Sequence, residues 1–105
     1  MDYELFIRER ITELRLNADI SEYQLSHEIG HAHSYINGIT RGKALPAMKE
    51  FLALCEYFGI TPSAFFDPSI EHPELYCEIE EKLKRLCKED LETILRLLKW
   101  LERER

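Results

Sequence analysis

The tightest constraint on this chain lies between Ser21 and Ile39, where two short amphipathic segments meet at one glycine. Ser21 stands where a helix N-cap belongs, and Gln24 three residues on completes a capping box. Leu25 and Ile29 then lie one helical turn apart before Gly30 stops the helix. The next segment, Ala32 to Ile39, carries Tyr35, Ile36 and Ile39 at helical spacing and closes into a loop at Arg41, Gly42 and Lys43. Two short helices around a tight turn are therefore expected, the second one presented on the surface.

The flanking sequence predicts the elements that would hold this pair. Leu5, Phe6, Ile7, Ile11, Leu14 and Leu16 recur largely at three- and four-residue steps among charged residues, which predicts an amphipathic helix ending near Asn17. Pro46 fits the first position of a fourth helix, with Phe51, Leu52, Leu54, Cys55 and Phe58 facing inward and Gly59 ending it. Thr61 and Pro62 repeat the start signal for a brief fifth helix, whose Phe65 and Phe66 would fill the base of the core. Residues 1–67 are thus expected to form a five-helix domain, and residues 68–72 a polar, proline-bounded linker. Beyond it, Leu75, Tyr76, Ile79, Leu83 and Leu86 make one stripe and Leu91, Ile94, Leu95, Leu98 and Leu101 a second, a helical hairpin over residues 73–105. No strand-like alternation or internal repeat occurs, so the expected class is all-α.

Charge and composition narrow the functions open to such a fold. The chain of 105 residues has room for one small core and an appended element. Its formal net charge is -6, with 6 Lys or Arg against 10 Asp or Glu in residues 1–70 and 8 against 10 in residues 71–105. Residues 21–50 are balanced at 3 against 3, with His27, His31 and His33 among them. A nucleic-acid surface, if present, must use a few local donors and bind weakly without dimerisation. No apolar run approaches the roughly 20 residues that span a bilayer, and Met1 to Arg10 is charged where a signal peptide would be apolar, so a cytoplasmic location is expected. Cys55, Cys77 and Cys87 are odd in number and contain no CxxC pair, which argues against a disulfide framework or a cysteine-built zinc site. His27 and His31 are four apart, but Gly30 breaks the helix between them, so no metal and no cofactor are expected. No nucleophile, phosphate-loop or metal pattern is present, and the chain does not read as an enzyme.

A helix about 10–12 Å wide fits a major groove about 12 Å wide, so the outward residues of the Ala32 to Ile39 helix can touch base edges. Those are His33, Ser34, Asn37 and Gly38. Over roughly residues 5–67 the chain resembles the Cro/CI-type helix-turn-helix family, also called the XRE family, with its lambda repressor-like fold. The resemblance rests on Ile7 to Leu16, Ser21, Leu25, Ile29, Gly30, Ser34, Tyr35, Ile36, Gly42, Lys43, Pro46, Phe51, Leu54, Phe58, Gly59, Ile60, Phe65 and Phe66. It implies a recognition helix starting near Ala32, with Asn37 able to contact adenine through both amide atoms and His33 and Ser34 making single hydrogen bonds. It also implies that Glu22, Tyr35, Arg41 and Lys43 lie along the phosphates. Three positions depart from the family pattern: Glu22 replaces the usual glutamine, Ala32 the usual capping serine or threonine, and Gly38 adds a helix penalty of about 1 kcal/mol relative to alanine.

The C-terminal stripe adds a second expectation. Leu91, Ile94, Leu95, Leu98, Trp100 and Leu101, with Leu97 beside them, offer more apolar surface than a two-helix hairpin hides, and a homodimer would cover it. A two-fold dimer would set two recognition helices roughly 34 Å apart, matching half-sites on a near-palindromic operator. The sequence is therefore expected to encode a dimeric repressor that regulates transcription on double-stranded DNA. The competing expectation is an antitoxin or other protein-interaction module that uses the same fold with weak or lost DNA binding, as the acidic charge and Glu22 would favour.

Overall fold

A computed structural model describes all 105 residues, and every regular element in it is a helix. In chain order these are α1 (Tyr3–Asn17), α2 (Glu22–Glu28), α3 (Tyr35–Thr40), α4 (Met48–Phe58), α5 (Pro62–Phe65), α6 (Pro73–Leu83) and α7 (Lys88–Arg103). Side-chain caps start three of them. Asp2 accepts from the Leu5 N–H at 3.0 Å, Ser21 from that of Gln24 at 3.0 Å, and Thr61 from that of Ala64 at 3.1 Å.

The apolar periodicity becomes one core. Ile11 and Leu14 of α1, Leu25 of α2, Ile36 and Ile39 of α3, and Phe51, Leu54 and Cys55 of α4 meet Ile60, Ala64 and Phe65 around and within α5. Phe65 is fully enclosed, with Phe51 edge-on at 5.0 Å and Phe66 edge-on at 5.0 Å. Two expected inward residues turn out otherwise: Leu52 and Phe66 remain well exposed. The 3.6-residue period explains Leu52, which lies about 100° around α4 from Phe51 and points to solvent. Phe66 sits past the end of the four-residue α5, where the chain is leaving the core, and stacks on Phe6 at 6.3 Å instead.

Pro46 does not open α4. Ala47 is the N-cap, with extended φ -67° and ψ 163°, so Pro46 lies one residue outside the helix and ends the preceding loop. With Ala47 extended, the first helical turn starts only at Met48.

Three arginines of α1 tie the bundle together by donating to carbonyls elsewhere in the chain. Arg8 Nε reaches Ile39 O at 3.0 Å, and Arg15 Nη1 reaches Ile20 O at 2.9 Å. Arg10 is itself buried: its Nε donates to Phe65 O at 2.8 Å, its Nη2 to Asp67 O at 2.7 Å, and its Nη1 to Glu13 Oε1 at 2.9 Å. Phe65 O, at the end of α5, takes its donor from Arg10, whereas Ile39 O and Asp67 O also accept from the Gly42 and Ile70 N–H groups and gain a second, charged donor.

After residue 67 the two remaining helices behave differently. α6 is drawn into the core, where Pro73 and Cys77 are buried and Glu74 accepts from the Asn17 amide at 3.3 Å. Burial lifts the Cys55 thiol to about 11, with neighbouring Cys77 adding to the shift, so Cys55 stays a protonated packing group at neutral pH. α7 buries none of its residues. The molecule accordingly measures 49 × 27 × 23 Å, and its radius of gyration of 16.6 Å exceeds the roughly 13 Å of a compact chain this long.

Candidate nucleic-acid interface

α2 and α3 meet around a turn that Gly30 makes possible: its φ is +79°, in the left-handed region where a side chain would be strained. The backbone there closes with His31 N–H donating to Ser26 O at 2.9 Å. The second helix, however, begins at Tyr35 and not at Ala32. Ala32 has no side-chain oxygen with which to cap a helix, and the ring of His33 is held away on Tyr23, stacked at 3.8 Å. His33 and Ser34 therefore belong to the turn leading into the helix, and Ser34 occupies the N-cap without making a side-chain cap bond.

The missing local cap is supplied from α2. Ser26, fully buried, accepts from the Ile36 N–H at 3.0 Å while its own hydroxyl donates to Glu22 O at 2.8 Å. One side chain thus satisfies an orphan donor at the start of α3 and fixes the two helices against each other. At the other end, Arg8 holds the Ile39 carbonyl and lies 3.8 Å from where a Cβ on Gly42 would stand. Gly42 has φ +81°, and this turn releases the chain into the Arg41 to Lys43 loop.

With Ile36 and Ile39 buried beneath, α3 turns Asn37, Gly38 and Arg41 outward. Nothing lies within 4 Å of where a Cβ on Gly38 would be, so this point of the face is open. Asn37 Nδ2 donates to Glu22 Oε1 at 3.0 Å. That amide, and then Thr40, hold the Glu22 carboxyl below the usual carboxylate range, with the Arg15 and Arg41 charges contributing, so Glu22 is ionised at neutral pH. Its carboxylate is engaged by neighbours on α3 and does not stand alone at the start of α2.

The remaining sequence-derived positions fall into two groups. Arg41 and Lys43 are exposed in the loop after α3, and neither takes part in an ion pair. Tyr35 is half-buried, stacked on His31 at 4.1 Å, and burial together with the Glu50 charge raises its hydroxyl above its ordinary range. His31 Nε2 meets Glu50 Oε1 at 3.1 Å, which joins the turn to α4. Tyr35 and His31 therefore brace the turn. Sequence reasoning passed over Tyr23 and Ser26; the i to i+4 position of Ser26 after Glu22 marks a helix-interior hydroxyl, but only the fold shows that it reaches Ile36.

The arrangement offers a short helix with a polar outward face, two free cations at its exit, and few other basic groups, because Arg8, Arg10 and Arg15 are engaged internally. No group of three or more His, Cys, Asp or Glu side chains is placed to hold a metal, and no helix is long and apolar enough to cross a membrane. In comparisons with known proteins, the family described as helix-turn-helix matches residues 11–65, just over half of the chain. No curated protein and no solved structure matches it.

Proposed function

The chain belongs to the Cro/CI-type helix-turn-helix family of DNA-binding domains, and from that premise we propose that it is a dimeric transcriptional repressor reading a near-palindromic operator with α3. The observation that carries the reading is the outward face of α3: Asn37 and the open Gly38 stand over two buried isoleucines, with Arg41 and Lys43 free of ion pairs at its exit.

Asn37 is the residue proposed to read a base. One of its two amide N–H groups is engaged with Glu22, which leaves the other N–H and Oδ1 for the N7 and N6 edge of adenine. Glu22 then acts by orienting that amide rather than by touching DNA. Arg41 and Lys43 hold phosphates, and His33 and Ser34 contribute from the turn. Repression would follow from occupancy of the operator itself.

Replacing Asn37 with alanine is expected to weaken binding to the selected operator by about 1–3 kcal/mol and to relax specificity at one base pair, read by titration against single-base variants. Equal loss on all sequences would remove Asn37 from base recognition. Lys43→Ala is expected to weaken every duplex alike and to lower the slope of log K against log salt by about one, as loss of one phosphate contact does. An unchanged slope would place Lys43 off the DNA path.

A further inference from the structure

The dimeric reading above leaves open how two copies meet, and α7 carries that information. Leu91, Ile94, Leu98 and Leu101 follow a three-four-three spacing, the a and d positions of a coiled-coil seam, and Leu95 flanks them. The helix runs for 16 residues and buries none of them on its own chain. Its charges are sorted along its length. Residues 88–95 hold Glu89, Asp90 and Glu92 against Lys88, whereas residues 96–105 hold Arg96, Lys99, Arg103 and Arg105 against Glu102 and Glu104.

We propose that α7 pairs antiparallel with α7 of a second copy of this chain through this seam. A parallel pair would lay acid on acid at one end and base on base at the other; reversing one helix sets each acidic half on a basic half. The antiparallel register is also sterically matched. Leu91 faces the partner's Leu101 and Ile94 the partner's Leu98, a Leu95 pair lies beside the two-fold axis, and Lys88 stands next to the partner's Glu102. The one unfavourable neighbour is Asp90 with the partner's Glu104, and Glu104 already lies at the C-cap, past the last full turn. Trp100 falls about 140° around the helix from the centre of the seam and takes no part in it.

The proposal is tested by placing cysteines at the two positions that meet only in the antiparallel pair. Cys87 is the one exposed thiol, Cys55 and Cys77 being buried, so Cys87→Ser gives a background without surface thiols. In that background Leu91→Cys and Leu101→Cys, which face each other in the antiparallel seam and face their own copies in a parallel one, are made singly and together in the full chain, oxidised mildly, and run on non-reducing gels. Within one helix the two sites lie about 15 Å apart and cannot bridge. Covalent dimer from the double variant, with little from either single variant, is the expected result. Covalent dimer from a single variant means a parallel pair and overturns the orientation while leaving the dimeric reading intact. No covalent dimer from any variant, with dimer seen by sedimentation before oxidation, overturns the α7 seam. Monomer by sedimentation at tens of micromolar overturns both. As a second readout, Lys88→Glu is expected to weaken the dimer several-fold, with Glu102→Lys in the same chain restoring it; failure of rescue would contradict the register.

Discussion

Replacing Arg10 with methionine is expected to lower the stability of this protein by about 3–5 kcal/mol, a loss set by two charge-assisted hydrogen bonds given up inside the fold. Arg10 is only 5% exposed and donates to Phe65 O at the end of α5 and to Asp67 O two residues on. It also stands 5.0 Å over the ring of Phe6. Methionine keeps the apolar stem, so the measured loss belongs to the polar head and not to a cavity. In a domain of this size that corresponds to a fall in melting temperature of roughly 12–30 °C, followed by circular dichroism. A fall of less than about 1 kcal/mol would mean that the Phe65 and Asp67 carbonyls do without these bonds readily and that Arg10 does not hold the fold.

The second large effect separates fold from function. Gly38→Glu places a side chain in open space on the outward face of α3, so it meets no neighbour, and removing a helix-interior glycine is worth about 0.5–1 kcal/mol of stability. The melting temperature is therefore expected to hold or rise. Binding to the selected operator is expected to fall at least about 100-fold, near 2.7 kcal/mol, because a carboxylate would enter the groove between two phosphate backbones. Unaltered DNA binding in this stable variant would show that α3 does not face the duplex.

The parts of the structure that local chemistry determines were legible in the sequence. Ser21, Thr61 and the glycine stops mark helix ends through contacts within four residues, and the apolar stripes of α1 and α4 name most of the core. What escaped depends on residues far apart in the chain. Arg8 and Arg10 bond carbonyls 31, 55 and 57 residues away, and nothing in the spacing of α1 distinguishes them from a solvated polar face. The spacing of Tyr35, Ile36 and Ile39 does not fix where α3 begins between Ala32 and Tyr35; the observed start depends on Ser26 supplying a cap from the neighbouring helix. In the candidate site, the outward placement of Asn37 and Gly38 followed from the period alone, whereas the bond from Asn37 to Glu22 needed the two helices set side by side. Periodicity likewise marked α6 and α7 as equally amphipathic. Only the packing shows that Cys77 joins the core while α7 stands apart from it.

The central claim is that this helix pair reads DNA, and selection of bound sequences from a random duplex pool by the purified full chain tests it most directly. At low salt, enrichment of a near-palindromic motif whose half-sites lie about one helical turn apart is the predicted result. Failure to enrich any sequence, with the protein shown to be folded and dimeric, would contradict it and turn the search toward a protein partner for the same fold.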